Sequence, residues 1–266
     1  MKPVRYLPRR DVIGFPGLLA GAPRALVQRD ARERLEAAFR ERWGYPFALA
    51  TPSGRQGLQL LLASLGPDVP RRAYVPAYTI DAVPALFRQA GFQLEFLDID
   101  PETLSLGPDQ VRAAWRGPGL LLVTHYFGLP ADMEALGLLA RELGLVLLED
   151  CAHAPGGTCD GVAVGRFGAG GFLSFETRKP LNGLGGGMVV TEDPDVAERV
   201  RQRLAAAHPS RLQDLRKVAM TTAEWLALQP PLFDLVAPMQ HREAGRRGLV
   251  SLYRNWHGSS RAPDRA

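Results

Sequence analysis

Short apolar runs recur along this chain at strand length, with helix-forming segments between them, and two of the runs end beside ionisable side chains. Residues 73–76, 92–99, 120–124 and 145–148 read as strands, and residues 79–90, 108–115 and 131–143 as the helices that separate them. The run from Leu120 to Thr124 has no polar alternation, so it belongs in a strand covered on both faces. Strands alternating with amphipathic helices predict an α/β fold with a mainly parallel sheet flanked by helices. In such sheets ligands gather beyond the carboxyl ends of the strands. One run there ends in Glu149-Asp150; another ends in Ser174-Phe175, with Lys179 soon after and a Gly-rich turn leading into a third, 188–191.

Upstream, residues 30–43 place Leu35, Phe39 and Trp43 on one face of a helix, with Gly44 as its stop. A short strand over 46–50 follows, and Ser53-Gly54-Arg55-Gln56 then opens an apolar helix over 57–65. A helix over 193–207 carries the chain off the sheet. The domain reading is an N-terminal arm over 1–29, a large body over 30–207, and a short helical or irregular tail over 208–266. The apolar part of that tail is broken by Pro230-Pro231 and Asp234, which favours packing on the body or a second subunit over a membrane.

Composition excludes several classes. With 32 basic and 28 acidic residues the net charge is +4, scattered rather than clustered, so nucleic acid is not an expected partner. Two cysteines, Cys151 and Cys159, give no disulfide framework. The sequence has no stretch of transmembrane length, and its first residues lack a secretory pattern, so a cytoplasmic protein is expected.

Lys179 is the first candidate for chemistry, because a lysine desolvated near a sheet edge can lose its proton and attack a carbonyl. Most lysines are solvated surface charges; the context lifts this one, which lies shortly before a Gly-rich turn, after Ser174 and downstream of the strand that ends at Asp150. Asp150 reads as a partnered core acid, a cap or a functional group; beside such a lysine it suits a pyridinium nitrogen. Glu149 alternates to the other face if the strand continues that far. Gly54 and Arg55 lie where a strand meets a helix N-terminus, a place that binds phosphate, and Ser174 has a hydroxyl for the same anion. His125 either lines the site or bonds to backbone. Cys151, His153 and Cys159 are metal ligands by type, but their spacing is not that of a standard zinc site.

The stretches SGRQGL, VPAYT, FLDID, THYFGLPAD, LEDCAHA, FLSFETRK and GGGMVVT, in this order, resemble the DegT/DnrJ/EryC1/StrS aminotransferases over about residues 30–205. The resemblance implies the large domain of the aspartate-aminotransferase fold (fold type I) and the cofactor pyridoxal 5'-phosphate. It implies that Lys179 is the Schiff-base lysine of an SFxxxK motif and that Asp150 bonds the pyridine nitrogen. His153 takes the His/Gln position near the cofactor's ring hydroxyl, and Gly54, Arg55 and Ser174 the phosphate positions. The implied reaction moves an amino group from a donor such as glutamate to a keto substrate, a nucleotide-linked keto sugar for sugar or polysaccharide biosynthesis, in a homodimer.

The chain departs from the family pattern in several places. Ile80 stands where an aromatic residue usually follows the PxxT threonine, the usual GEGG reads LGGG over Leu184 to Gly187 so that its glutamate is missing, and Arg55 replaces a small Thr or Ser. The tail 208–266 is shorter than the family's small domain. The alternative expectation is therefore a non-catalytic relative that keeps the fold as a cofactor-binding or interaction module.

Overall fold

The computed structural model describes residues 30–206 apart from Thr177, Arg178 and Leu184, together with Ala219. The chain divides into two compact units, Asp11–His208 and Met1–Arg10 with Pro209–Ala266. All described elements belong to the first. The arm over 1–29 and, Ala219 apart, the tail over 208–266 lie outside the described residues.

Seven strands form one sheet: β1 (Phe47–Thr51), β2 (Arg72–Pro76), β3 (Gln93–Leu97), β4 (Gly119–Thr124), β5 (Leu145–Asp150), β8 (Gly170–Ser174) and β9 (Gly187–Thr191). Their order is β1-β9-β8-β5-β4-β2-β3. β8, β5, β4, β2 and β3 run parallel in sequence of pairing, and β9 is antiparallel to both β1 and β8. The fold is thus α/β with a mostly parallel sheet, as the alternation predicts. The exception is local: β9 follows β8 through residues 175–186, lies beside it in the sheet and pairs antiparallel to it. That connection, which carries Lys179, is therefore held at the carboxyl end of β8.

Among the described residues six helices flank the sheet: α1 (Ala31–Trp43), α2 (Gly54–Ser64), α3 (Ala82–Gln89), α4 (Pro108–Ala114), α5 (Met133–Leu143) and α6 (Pro194–Ala206). The unbroken apolar run of β4 is explained by burial on both faces. Leu120 and Leu122 join Leu58 and Leu61 of α2, Phe87 of α3 and Val200 of α6 in one core. Leu121 and Val123 join Val111 of α4 and Leu136 of α5 in another. A third core gathers Phe39, Tyr45, Phe175 and Met188. Of the three apolar residues expected on one face of α1, Phe39 is buried, Trp43 is half-buried and packs edge-on against it, and Leu35 is exposed.

Two boundaries differ from the sequence reading for identifiable reasons. A helix from residue 79 would need an N–H from Pro84 to bond the Ile80 carbonyl; α3 instead starts at Ala82, where Pro84 falls among first-turn residues that need no such bond. α5 starts at Met133 because the Asp132 side chain caps it, accepting from the Ala135 N–H at 3.0 Å. The segment between β5 and β8 also holds a small hairpin, β6 (Thr158–Cys159) with β7 (Val162–Ala163). Its turn, Asp160-Gly161, has positive φ at both residues (49° and 79°), the backbone that an Asp-Gly pair supplies.

One close approach fixes the geometry near the lysine. A Cβ built on Gly187 would lie 2.6 Å from the backbone N of Gly54 and 2.6 Å from the carbonyl O of Leu173. Neither atom can yield without moving a strand or a helix start. Gly187→Ala is expected to lower stability by about 1–3 kcal/mol, the usual range for overpacking, read from the urea midpoint. An unchanged midpoint would mean that β1, β8 and β9 separate at little cost.

Candidate active site

Strand geometry brings four of the expected residues to one edge. Asp150 ends β5, Ser174 ends β8, and Gly54 begins α2 just beyond β1. A Cβ on Gly54 would lie 2.7 Å from the Ser174 Cβ, so the helix N-terminus and the end of β8 touch. Ser53 caps the helix, its Oγ accepting from the Gln56 N–H at 3.2 Å. Arg55 follows, with its guanidinium 3.4 Å from the Glu176 carboxylate and both side chains partly exposed.

Lys179 lies on the connection after β8. The base of that connection is closed on Phe175, whose carbonyl accepts from the N–H groups of Gly183 and Gly185 at 2.9 and 3.0 Å, while its own N–H donates to Gly186. The Lys179 N–H donates to the Glu176 carbonyl at 2.8 Å, and the adjacent Asn182 is buried.

Asp150 is 8% exposed, and its Oδ1 accepts from the Ala152 N–H at 3.0 Å. Burial pushes its carboxyl above the usual range; the Ala152 N–H and then the charges of Lys179, His153 and His125 pull the other way. His153 is shifted down, by burial first and by Lys179 second, with Asp150 opposing. Asp150, His153 and Lys179 therefore share one electrostatic neighbourhood. In it the acid resists ionising and the imidazole resists protonation.

Several site features were not read from the sequence. Thr124, in register with Asp150 on β4, has a buried Oγ1 with no hydrogen bond of ordinary geometry, although it lies near the Tyr126 hydroxyl. Tyr126 donates to the Tyr78 carbonyl, and burial raises its phenol to about 12. Ring contacts run from Tyr78 to Tyr126 (5.4 Å), from Tyr78 to Phe127 (6.4 Å) and from Phe127 to His153 (6.4 Å). Tyr78 and Phe127 are 58% and 59% exposed, so they form an open aromatic wall beside His153. Ile80, in the position where an aromatic side chain was missed, is exposed as well. The signal for the wall was in view, since HYFG follows an apolar strand directly; nothing in one sequence says which of its rings faces the site.

His125 does not line the open site. It is fully buried, with Nε2 3.1 Å from Glu149 Oε2 and Nδ1 accepting from the Ala131 N–H. Among the described residues Cys151 comes together with His125 and Glu149, not with His153 and Cys159. The Cys159 thiol instead bonds the Ala131 carbonyl. No helix among the described residues is long and apolar enough to cross a membrane.

Comparison with known proteins gives a consistent picture. Residues 25–222 match the model of the DegT/DnrJ/EryC1/StrS aminotransferase family. The chain is 35% identical over 173 residues to the L-glutamine:2-deoxy-scyllo-inosose aminotransferase of Streptomyces fradiae, covering 64% of this chain and 41% of that protein. It is 34% identical over 151 residues to a pleiotropic regulatory protein of Geobacillus stearothermophilus, covering 56% of this chain and 41% of that one. Among solved structures it resembles DesI, determined in the presence of its TDP-sugar product, with 33% identity and a TM-score of 0.64 over 72% of this chain and 50% of that one. The chain thus spans about two fifths of the length of these curated relatives.

Proposed function

The chain belongs to the DegT/DnrJ/EryC1/StrS aminotransferase family, and we propose that it is a pyridoxal 5'-phosphate-dependent aminotransferase acting on a cyclic keto substrate. One observation carries this reading. A carboxyl group, Asp150, is buried at a strand end where ionisation is costly, and it shares its surroundings with Lys179 and His153. A buried acid of this kind is stabilised when a cation reaches it, and a protonated pyridine nitrogen is such a cation. The contact between Gly54 and Ser174 supports the same reading, because it puts a helix N-terminus and a hydroxyl together as an anion cradle. The residues present fit the cofactor.

When bound, the cofactor supplies the electron sink that lets a proton leave the amino donor's α-carbon. In this reading Lys179 holds it covalently through Nζ and, once released, moves the proton at that α-carbon. Asp150 keeps the ring nitrogen protonated. His153, held neutral by burial and by Lys179, offers a hydrogen bond rather than a charge to the ring hydroxyl. The N–H groups at the start of α2, with Ser174, hold the phosphate. Arg55 lies close by but is engaged with Glu176. An exposed ion pair of this kind is weak, so Arg55 can exchange that partner for a phosphate or a substrate acid.

A nucleotide-linked keto sugar as acceptor and glutamate as donor remain the proposed substrates. The relatives support an amino-acid donor and a sugar-like acceptor only at class level: one is named for L-glutamine and 2-deoxy-scyllo-inosose, another was solved in the presence of its TDP-sugar product. The proposed homodimer rests on the resemblance, and the proposed cytoplasmic setting on the expectation drawn from the sequence. The retained Lys179 speaks against a purely non-catalytic role, for which cofactor binding without amine exchange would be the signature.

The test is a spectrum. Purified protein mixed with pyridoxal phosphate is expected to gain the visible band of a lysine-bound cofactor, and glutamate or glutamine is expected to convert it to the band of the amine form. Absence of the first band defeats the proposal; presence of the first without the second, for every amino acid tried, leaves only the binding-module reading.

A further inference from the structure

We propose that the buried His125–Glu149 pair is a strut that positions Asp150 and the Phe127–His153 wall, a role that rests on the cofactor site proposed above. Both side chains are 0% exposed. Glu149 Oε2 accepts from the Gly165 N–H at 2.6 Å, and Oε1 from the Phe167 N–H at 2.8 Å. The third contact to the same carboxylate is His125 Nε2 at 3.1 Å. His125 Nδ1 is already an acceptor for the Ala131 N–H at 3.1 Å, so the proton of the neutral ring sits on Nε2 and is donated to Glu149. A backbone amide thus sets the tautomer.

These bonds join three segments that reach the site from different strands. The first is the turn after β4, residues 125–131, which carries Tyr126 and Phe127. The second is the end of β5, where the His125 N–H donates to the Asp150 carbonyl at 3.1 Å. The third is residues 165–167, which lead into β8 and so to Ser174. Glu149 and Asp150 are adjacent in a strand and point to opposite faces, so anchoring one fixes the direction of the other. The turn also holds a backbone outlier: Phe127 has φ 55° and ψ 20°, a left-handed conformation unfavourable for a bulky residue. It persists where the chain is pinned on both sides, by His125 Nδ1 to Ala131 and by the Tyr126 hydroxyl to Tyr78. Its result is a ring set against His153. Cys151 lies within the same cluster, yet the His125 and Glu149 donor atoms already hold hydrogen bonds, which fits a strut better than a metal centre.

The experiment compares His125→Gln, His125→Leu and Glu149→Gln in the full chain. A glutamine at 125 carries one acceptor and one donor on a single amide and cannot titrate; leucine carries neither. In the cofactor-free protein, His125→Leu and Glu149→Gln are expected to speed amide hydrogen exchange in 126–131 and 165–167 while β1 and β2 stay protected. Nitrogen NMR of the wild-type ring is expected to show the Nε2–H tautomer. With pyridoxal phosphate, His125→Leu is expected to lower kcat for amine transfer about 10²-fold, as a displacement of about 1 Å does, with the donor KM within about threefold. His125→Gln is expected to retain kcat within about threefold.

Wild-type exchange and kcat in His125→Leu would overturn the strut. So would His125→Gln falling as far as His125→Leu, because that would make His125 a proton carrier. If His125→Leu does not fold, Glu149→Gln decides in its place: it keeps the volume but removes the charge and turns one accepting oxygen into an NH2 group that faces another donor. If the wild-type protein binds no cofactor, the proposed function fails by itself, while the ring tautomer and the exchange pattern still decide whether the strut exists.

Discussion

Replacing Lys179 with alanine is expected to remove the visible band of bound pyridoxal phosphate and to lower amine transfer by at least about 10⁴-fold, the upper end of what a positioned proton-transfer group contributes. Two functions are lost at once, the covalent hold on the cofactor and the base at the donor's α-carbon. The same change has a consequence that needs no cofactor. Lys179 is the second-largest cause of the lowered His153 pKa and it opposes the raised pKa of Asp150. Without its charge, His153 is expected to titrate at higher pH and Asp150 to resist ionisation further. An NMR titration of His153 in wild type and Lys179→Ala reads the first of these directly. A His153 pKa that does not rise would mean that Lys179 lies too far from Asp150 and His153 to share a site with them, and the proposed function would lose its carrying observation.

The sheet was legible because its strands are buried on both faces. The runs over 120–123 and 145–148 have no polar residue to confuse with a helix face, and the stop of the first helix at Gly44 is readable as a glycine in the left-handed conformation. Lys179, Asp150, Ser174 and Gly54 were legible as candidates because each sits where an apolar run ends, which in a parallel sheet is the ligand-binding edge. What the sequence hid was lateral. Order along the chain does not tell that β9 inserts between β1 and β8, and therefore that Gly187 backs onto Gly54. Nor does it tell that Glu149 turns away from the site to meet His125. Either of two adjacent acids could have faced the lysine; the alternation of the strand favoured Asp150, and the buried bonds of Glu149 supply the reason the other is retained. The hairpin at Asp160-Gly161 has a turn pair that marks it, but its strands are only two residues each, too short to show as apolar runs.

Asp150→Asn is expected to separate stability from activity. Burial raises the Asp150 pKa, so the folded state holds that proton more tightly than the unfolded chain does. The sign follows: the stability this group contributes is greatest below the ordinary carboxylate value of about 3.9, and it falls as pH rises from there toward the raised folded value. At neutral pH the cofactor-free wild type therefore carries a penalty that asparagine, which does not ionise, avoids. Cofactor-free Asp150→Asn is expected to melt higher than wild type at pH 7, each kcal/mol moving the midpoint by roughly 2–4 °C for a chain of this size, and the gap is expected to close as pH falls toward 4. Added pyridoxal phosphate brings a cation to the carboxylate, so it is expected to raise the wild-type midpoint by more than that of the variant. Activity moves the other way. Without the buried charge the ring nitrogen loses its proton, and kcat is expected to fall about 10²–10³-fold, the scale for removing one preorganised electrostatic partner. If Asp150→Asn melts lower than wild type in the absence of cofactor, Asp150 is a structural acid whose bond to Ala152 outweighs its desolvation. The pyridine-nitrogen role would then lose its physical basis.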